Sequence, residues 1–154
     1  MATSFVSYRE KGYWIADDFV MLLARYLIEA YKRMPKGSHW KGKMKDDLFP
    51  SAMGGNSGGK SLYLDKYLDD SDKVEAFINW VTATQHLIKA KGKYISKDEI
   101  NFFDHYEDGF VPEEKDLETK ILIDLFDDVI NIVKGSSGED ATSKAVLPFY
   151  RNPV

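Results

Sequence analysis

The stretch from Trp14 to Met34, WIADDFVMLLARYLIEAYKRM, decides how the chain reads. Phe19, Leu22, Leu23, Tyr26, Leu27, Ala30 and Tyr31 recur with the spacing of one helix face. Asp17 and Asp18 stand in the first turn and Lys32 and Arg33 in the last, where each charge complements the helix dipole. Pro35 and Gly37 then stop the pattern. A long amphipathic helix is predicted here, and the rest of the chain extends that reading.

Asp72 with Glu75 three residues later resembles a capping box. Behind it Val74, Phe77, Ile78, Val81, Leu87 and Ile88 form one apolar face with Trp80 beside it, ending near Gly92. Ser96 and Glu99 repeat the start signal for a shorter helix through Ile100, Phe102 and Phe103. Gly109 and Pro112 break the chain before a last helix from Glu113 to Lys134. That helix buries Leu117, Ile121, Leu122, Leu125, Val129, Ile130 and Val133 and stops at Gly135.

Between these helices, residues 35–60 are rich in Gly, Lys, Ser and Pro and read as a long connecting loop. Leu62 and Leu64 alternate within Lys60 to Tyr67, which fits either a short extended piece near 60–65 or the start of a helix. The tail, residues 136–154, carries Val146, Leu147, Phe149 and Tyr150 and is expected to dock back on the domain, because an exposed aromatic strip is a liability. The expected architecture is one all-α, bundle-like domain over residues 1–154.

Composition supports a folded domain. The 154 residues are 44% hydrophobic, 14% aromatic and 30% charged. A chain of this size buries roughly 70% of its unfolded surface. Without cysteine there is no disulfide, no thiolate zinc site and no cysteine nucleophile. The opening residues lack the basic start, apolar run and small-residue cleavage site of a signal peptide. The most apolar window, Phe19 to Ala30, is interrupted by Arg25 and Glu29 and is too short to span a bilayer. A cytoplasmic protein without membrane attachment is therefore expected.

Two motifs imitate chemistry. Gly54 to Ser61, GGNSGGKS, matches the phosphate-binding loop G-x-x-x-x-G-K-[ST], with Gly59, Lys60 and Ser61 as its working residues. Such a loop must follow a buried strand and open a helix, so that its amides cradle phosphates and its hydroxyl holds magnesium. The preceding KDDLFPSAM, residues 45–53, is no buried strand, and Ile121 to Asp124, which mimics a strand ending in a magnesium-binding aspartate, lies in a helical pattern. A nucleotide site at Gly59, Lys60 and Ser61 is thus the alternative reading, behind a glycine-rich loop. Asp104, Asp108 and Gly109 suggest a calcium loop, but Tyr106 and Lys115 occupy positions that need oxygen ligands. His39, His86 and His105 form no metal-binding pair. No catalytic residue, metal or cofactor is expected.

Charge is the stronger signal. Residues 1–60 carry ten Lys and Arg against six Asp and Glu, whereas residues 61–154 carry eleven against nineteen. Lys32, Arg33, Lys36, His39, Trp40, Lys41, Lys43 and Lys45 form a basic stretch able in principle to hold phosphates, although the net charge of −4 opposes nucleic acid. Residues 98–140 hold fourteen acids and three lysines. Asp104, Glu107, Asp108, Glu113 and Glu114 there surround Tyr106 and Phe110, a pattern suited to docking a basic protein: charge speeds encounter and rings supply anchors. These seven residues are the candidate partner-binding set.

The opening GYWIADD, residues 12–18, leads into a helix, and LYLDKYL, residues 62–68, leads into a second helix with Trp80. This layout resembles that of small acidic immunity proteins, which neutralise bacterial contact-dependent or polymorphic toxins. The resemblance implies a non-enzymatic inhibitor that caps a basic toxin domain, often a nuclease, through an acidic face.

Overall fold

The computed structural model describes residues 3–35, 37–52, 62–101 and 115–135. It begins with strands β1, Thr3–Tyr8, and β2, Lys11–Ala16, paired antiparallel with Phe5 opposite Trp14 and Val6 opposite Tyr13. Ser4, Val6, Tyr8, Tyr13 and Ile15 share the buried face of this hairpin. The rings of Phe5 and Trp14 meet on the other face, 5.0 Å apart. The connection is only Arg9 and Glu10, both with positive φ (46° and 66°), the geometry that matches strand twist in a two-residue hairpin.

Helix α1, Asp17–Arg33, follows directly and is buried on nearly every side. Helix α2, His39–Ala52, lies against it, and strand β3, Leu62–Tyr63, adds to the sheet parallel to β1. A 3-10 turn, Leu64–Lys66, precedes helix α3, Ser71–Lys89. Tyr8 donates its hydroxyl to Leu68 O at 3.0 Å, and the Arg9 amide donates to Asp65 at 2.8 Å, tying this segment to the hairpin. Strand β4, Tyr94–Ile95, helix α4, Lys97–Asn101, strand β5, Leu117–Glu118, and helix α5, Thr119–Lys134, complete the described chain.

A single hydrophobic cluster joins Val6 of the hairpin, α1, Met44 and Leu48 of α2, Phe77 and Trp80 of α3, Ile95, Ile100 and the inner face of α5. Trp80 is fully buried and gives its indole N–H to Leu27 O at 2.8 Å, satisfying the one polar atom this ring carries into the core. Gln85 bridges α3 to α5 through Ile123 O, at 3.0 Å, and Asp127, at 2.7 Å.

The fold is therefore mixed α/β, with sheets ordered β2-β1-β3 and β4-β5, and the all-α expectation is overturned. The reason is local. Residues 3–16 do not alternate cleanly, since Val6 to Tyr8 are buried in succession and β2 has buried pairs, and their turn contains none of the Gly or Asn that normally announces such a hairpin. Trp14, Ile15 and Ala16 consequently belong to β2 and not to the helix. Within residues 35–60, expected to be a loop, α2 presents Met44, Leu48, Ser51 and Ala52 to the core at helical spacing. The third helix starts at Ser71, capped by Asp70, which accepts from Lys73 N at 2.8 Å; Asp72 is not the cap. Leu117 lies on β5, and α5 begins at Thr119 rather than at Glu113. Gly135 ends α5 in the left-handed conformation, φ 75°, as glycine permits.

Candidate functional site

The acidic candidate residues Asp104, Tyr106, Glu107, Asp108, Phe110, Glu113 and Glu114 lie outside the described residues, as do His105, Gly59, Lys60, Ser61 and the tail. What is described is the place where residues 102–114 join the fold. On one side stand β4 and α4, on the other β5 and α5. Tyr94 pairs with Glu118 and Ile95 with Leu117. Asp116 accepts from the Lys97 amide at 2.9 Å, capping α4 with a residue from across the junction. Ser96 Oγ accepts from Glu99 N at 3.1 Å, the capping contact that the Ser96–Glu99 spacing predicts. Thr119 donates its hydroxyl to Gly92 O at 2.8 Å and its amide to Lys93 O at 3.0 Å. The described ends on either side of residues 102–114, Asn101 and Lys115, thus stand as posts tied by these contacts.

Two aromatic side chains missed by sequence reading stand exposed near this region and on α2. Tyr94 is 47% exposed, with Lys93 Nζ over its ring, and Phe49 is 53% exposed. Phe49 falls off the stripe of Trp40, Met44, Leu48 and Ala52, and that offset is the signal that could have identified it. It borders a cleft of about 340 Å³ lined with Arg25, Tyr26, Ile28, Glu29, Lys32, Ala52 and Glu99.

Glu99 connects the cleft to the junction. It accepts from the Tyr26 hydroxyl at 2.6 Å and from Lys91 Nζ at 3.0 Å. Burial alone would raise its pKa, but these two donors outweigh burial and hold the carboxyl below its ordinary value. Burial first, then the bond to Glu99, pushes the Tyr26 phenol well above the usual tyrosine range. Arg25, on the same turn of α1 and buried, donates to Ile100 O at 2.8 Å near the end of α4. An ionised carboxylate, a protonated phenol and a guanidinium thus fix α4 against α1. The group holds position, the Tyr26 phenol keeping its proton and donating it in a hydrogen bond to Glu99.

The phosphate-loop reading loses its context. The element before Gly54 is a helix, α2, and the described element after Ser61 is a strand, β3, the reverse of the order such a loop needs. Ile121 to Asp124 lies in α5. His39 is exposed at the start of α2 and His86 is exposed on α3. Among the described residues no three His, Asp or Glu side chains are placed to share a metal ion, and no helix is long and apolar enough to cross a membrane.

No family model matches the chain, and neither a curated protein nor a solved structure shows significant similarity to it.

Proposed function

We propose that the chain is a non-enzymatic protein-binding module of the immunity type, cytoplasmic, which neutralises a basic toxin domain through residues 104–114. The supporting observation is the junction: an acid-rich stretch is inserted between posts held by the β4–β5 pair and the Asp116–Lys97 bond. Five of the thirteen residues 102–114 are Asp or Glu, and Tyr106 and Phe110 stand among them. Charge of this density steers a basic partner toward the surface, while aromatic side chains supply desolvated anchors. Tyr94 adds an exposed ring on the post itself.

The test begins with affinity capture from lysate of the source cells, washed at low and then high salt. A stoichiometric basic protein identified by mass is the expected product. Its association with the variant carrying Asp104→Asn, Glu107→Gln and Asp108→Asn should be about tenfold slower at low ionic strength and less salt-dependent. Unchanged association kinetics in that variant would remove the acidic stretch from the interface.

A further inference from the structure

A second concavity, of about 630 Å³, lies between the end of α1 and the start of α2, lined with Tyr31, Lys32, Met34, Gly37, Ser38, His39, Gly42, Lys43 and Asp46. Its volume is in the range of small-molecule sites. The arrangement of charge around it is uneven. Asp46, the acid in the lining, is already engaged by Lys45 at 2.8 Å. Asp47, near enough to Lys43 to feel its charge, receives the Tyr67 hydroxyl and Lys66, and those bonds help hold its pKa below the ordinary carboxylate value. Glu29 is bonded to Arg33 at 3.1 Å. Lys32, His39 and Lys43 are left with no carboxylate bonded to them among the described residues. Two ammonium groups without a bonded carboxylate among the described residues and an imidazole therefore border one groove, with Asp46 also in its lining and Asp47 near Lys43.

Part of the remaining lining is apolar. Tyr31 and Met34 are partly buried against the core, and the Tyr31 ring rests 5.7 Å from that of Trp80. Gly42 keeps the groove open beside Tyr31, since a Cβ there would stand 3.3 Å from the phenolic oxygen. A ligand that satisfies both parts carries about two negative charges at one end and a flat or apolar body at the other. A phosphomonoester, with a charge of about −1.5 to −2 near neutrality, meets the first requirement; a carboxylate supplies only half of it.

We infer that the α1–α2 groove binds a small phosphomonoester with an aromatic or apolar body, its phosphate held by Lys32, His39 and Lys43 and its body against Tyr31 and Met34. This site is separate from the Gly54 to Ser61 motif and from the acidic stretch. A single-stranded nucleic acid would present the same phosphate chemistry but needs a longer basic track, which the acid-paired Lys45 and Lys66 do not extend.

Calorimetric titration of the full chain tests the assignment, with adenosine 5′-monophosphate, adenosine, inorganic phosphate and a short single-stranded RNA as probes. The monophosphate should bind saturably, more tightly than either phosphate or adenosine. Replacing the two exposed lysines together, Lys32→Ala and Lys43→Ala, should weaken it about tenfold or more while leaving the thermal midpoint of the free protein unchanged. Absence of saturable binding at millimolar monophosphate would overturn the assignment. So would equal affinity for adenosine or for bare phosphate, or binding indifferent to the lysine replacements. RNA binding that the monophosphate fails to displace would replace the small-molecule site with a nucleic-acid surface.

Discussion

Two tyrosines carry the clearest charge-linked consequences at the scale of single residues. Tyr26 donates to Glu99 and Tyr67 to Asp47, and burial together with those carboxylates pushes both phenols well above the ordinary value of 10.0. In the unfolded chain both ionise near pH 10, while in the folded chain they stay protonated. The stability they contribute is therefore complete below about pH 10 and is lost as pH rises beyond it. The urea midpoint should fall steeply above about pH 10 and less steeply in Tyr26→Phe. For Glu99 and Asp47, whose folded values lie below the ordinary ones, the sign reverses. Their contribution is present above about pH 4.5 and disappears as pH falls through the lowered values, so the urea midpoint should fall less with acid in Tyr26→Phe, which lacks a donor to Glu99. Gly12 is constrained in a different way: a Cβ there would lie 2.5 Å from Val6 O, and a paired strand's backbone cannot yield.

Among the elements, the β1–β2 hairpin is the most instructive. Arg9 and Glu10 both sit in the left-handed region, where a side chain is disfavoured by roughly 1–2 kcal/mol per residue. The double change Arg9→Asn and Glu10→Gly should raise stability by about 1 kcal/mol in chemical denaturation, the unfolded-state entropy of glycine offsetting part of the relief. An unchanged or lower midpoint would show that the Arg9 contact with the Tyr8 ring outweighs the strain. This hairpin also explains what sequence reading reached. The amphipathic faces of α1, α3 and α5 were legible because many large apolar residues repeat at one period. The hairpin was hidden by an Arg-Glu turn, and α2 by Gly42, Pro50 and five lysine or aspartate residues over one thin apolar stripe. Strands β3, β4 and β5 have two residues each, too few for any periodicity. Of the candidate site, charge was readable, but the Tyr26–Glu99–Lys91 group joins residues separated by 73 positions, which no local pattern reveals.

At the scale of the whole molecule, one buried cluster includes residues of the hairpin, of the five helices among the described residues and of β4. Helical signal and tryptophan fluorescence should therefore be lost in one coincident transition. Trp80 projects from α3 into this cluster and bonds to α1, so Trp80→Ala should cost about 3–5 kcal/mol and lower both signals' midpoints together. Separate midpoints would divide the cluster into independently unfolding parts. The posts at Asn101 and Lys115 bear on how such a molecule changes over generations. β4 pairs with β5, Asp116 caps α4 and Thr119 bonds to Gly92 and Lys93, so the two ends are held by contacts among residues 92–97 and 116–119. A lineage that loses Asp116 or Thr119 loses the bonds that hold these two ends in register, so selection on the scaffold weighs on those side chains.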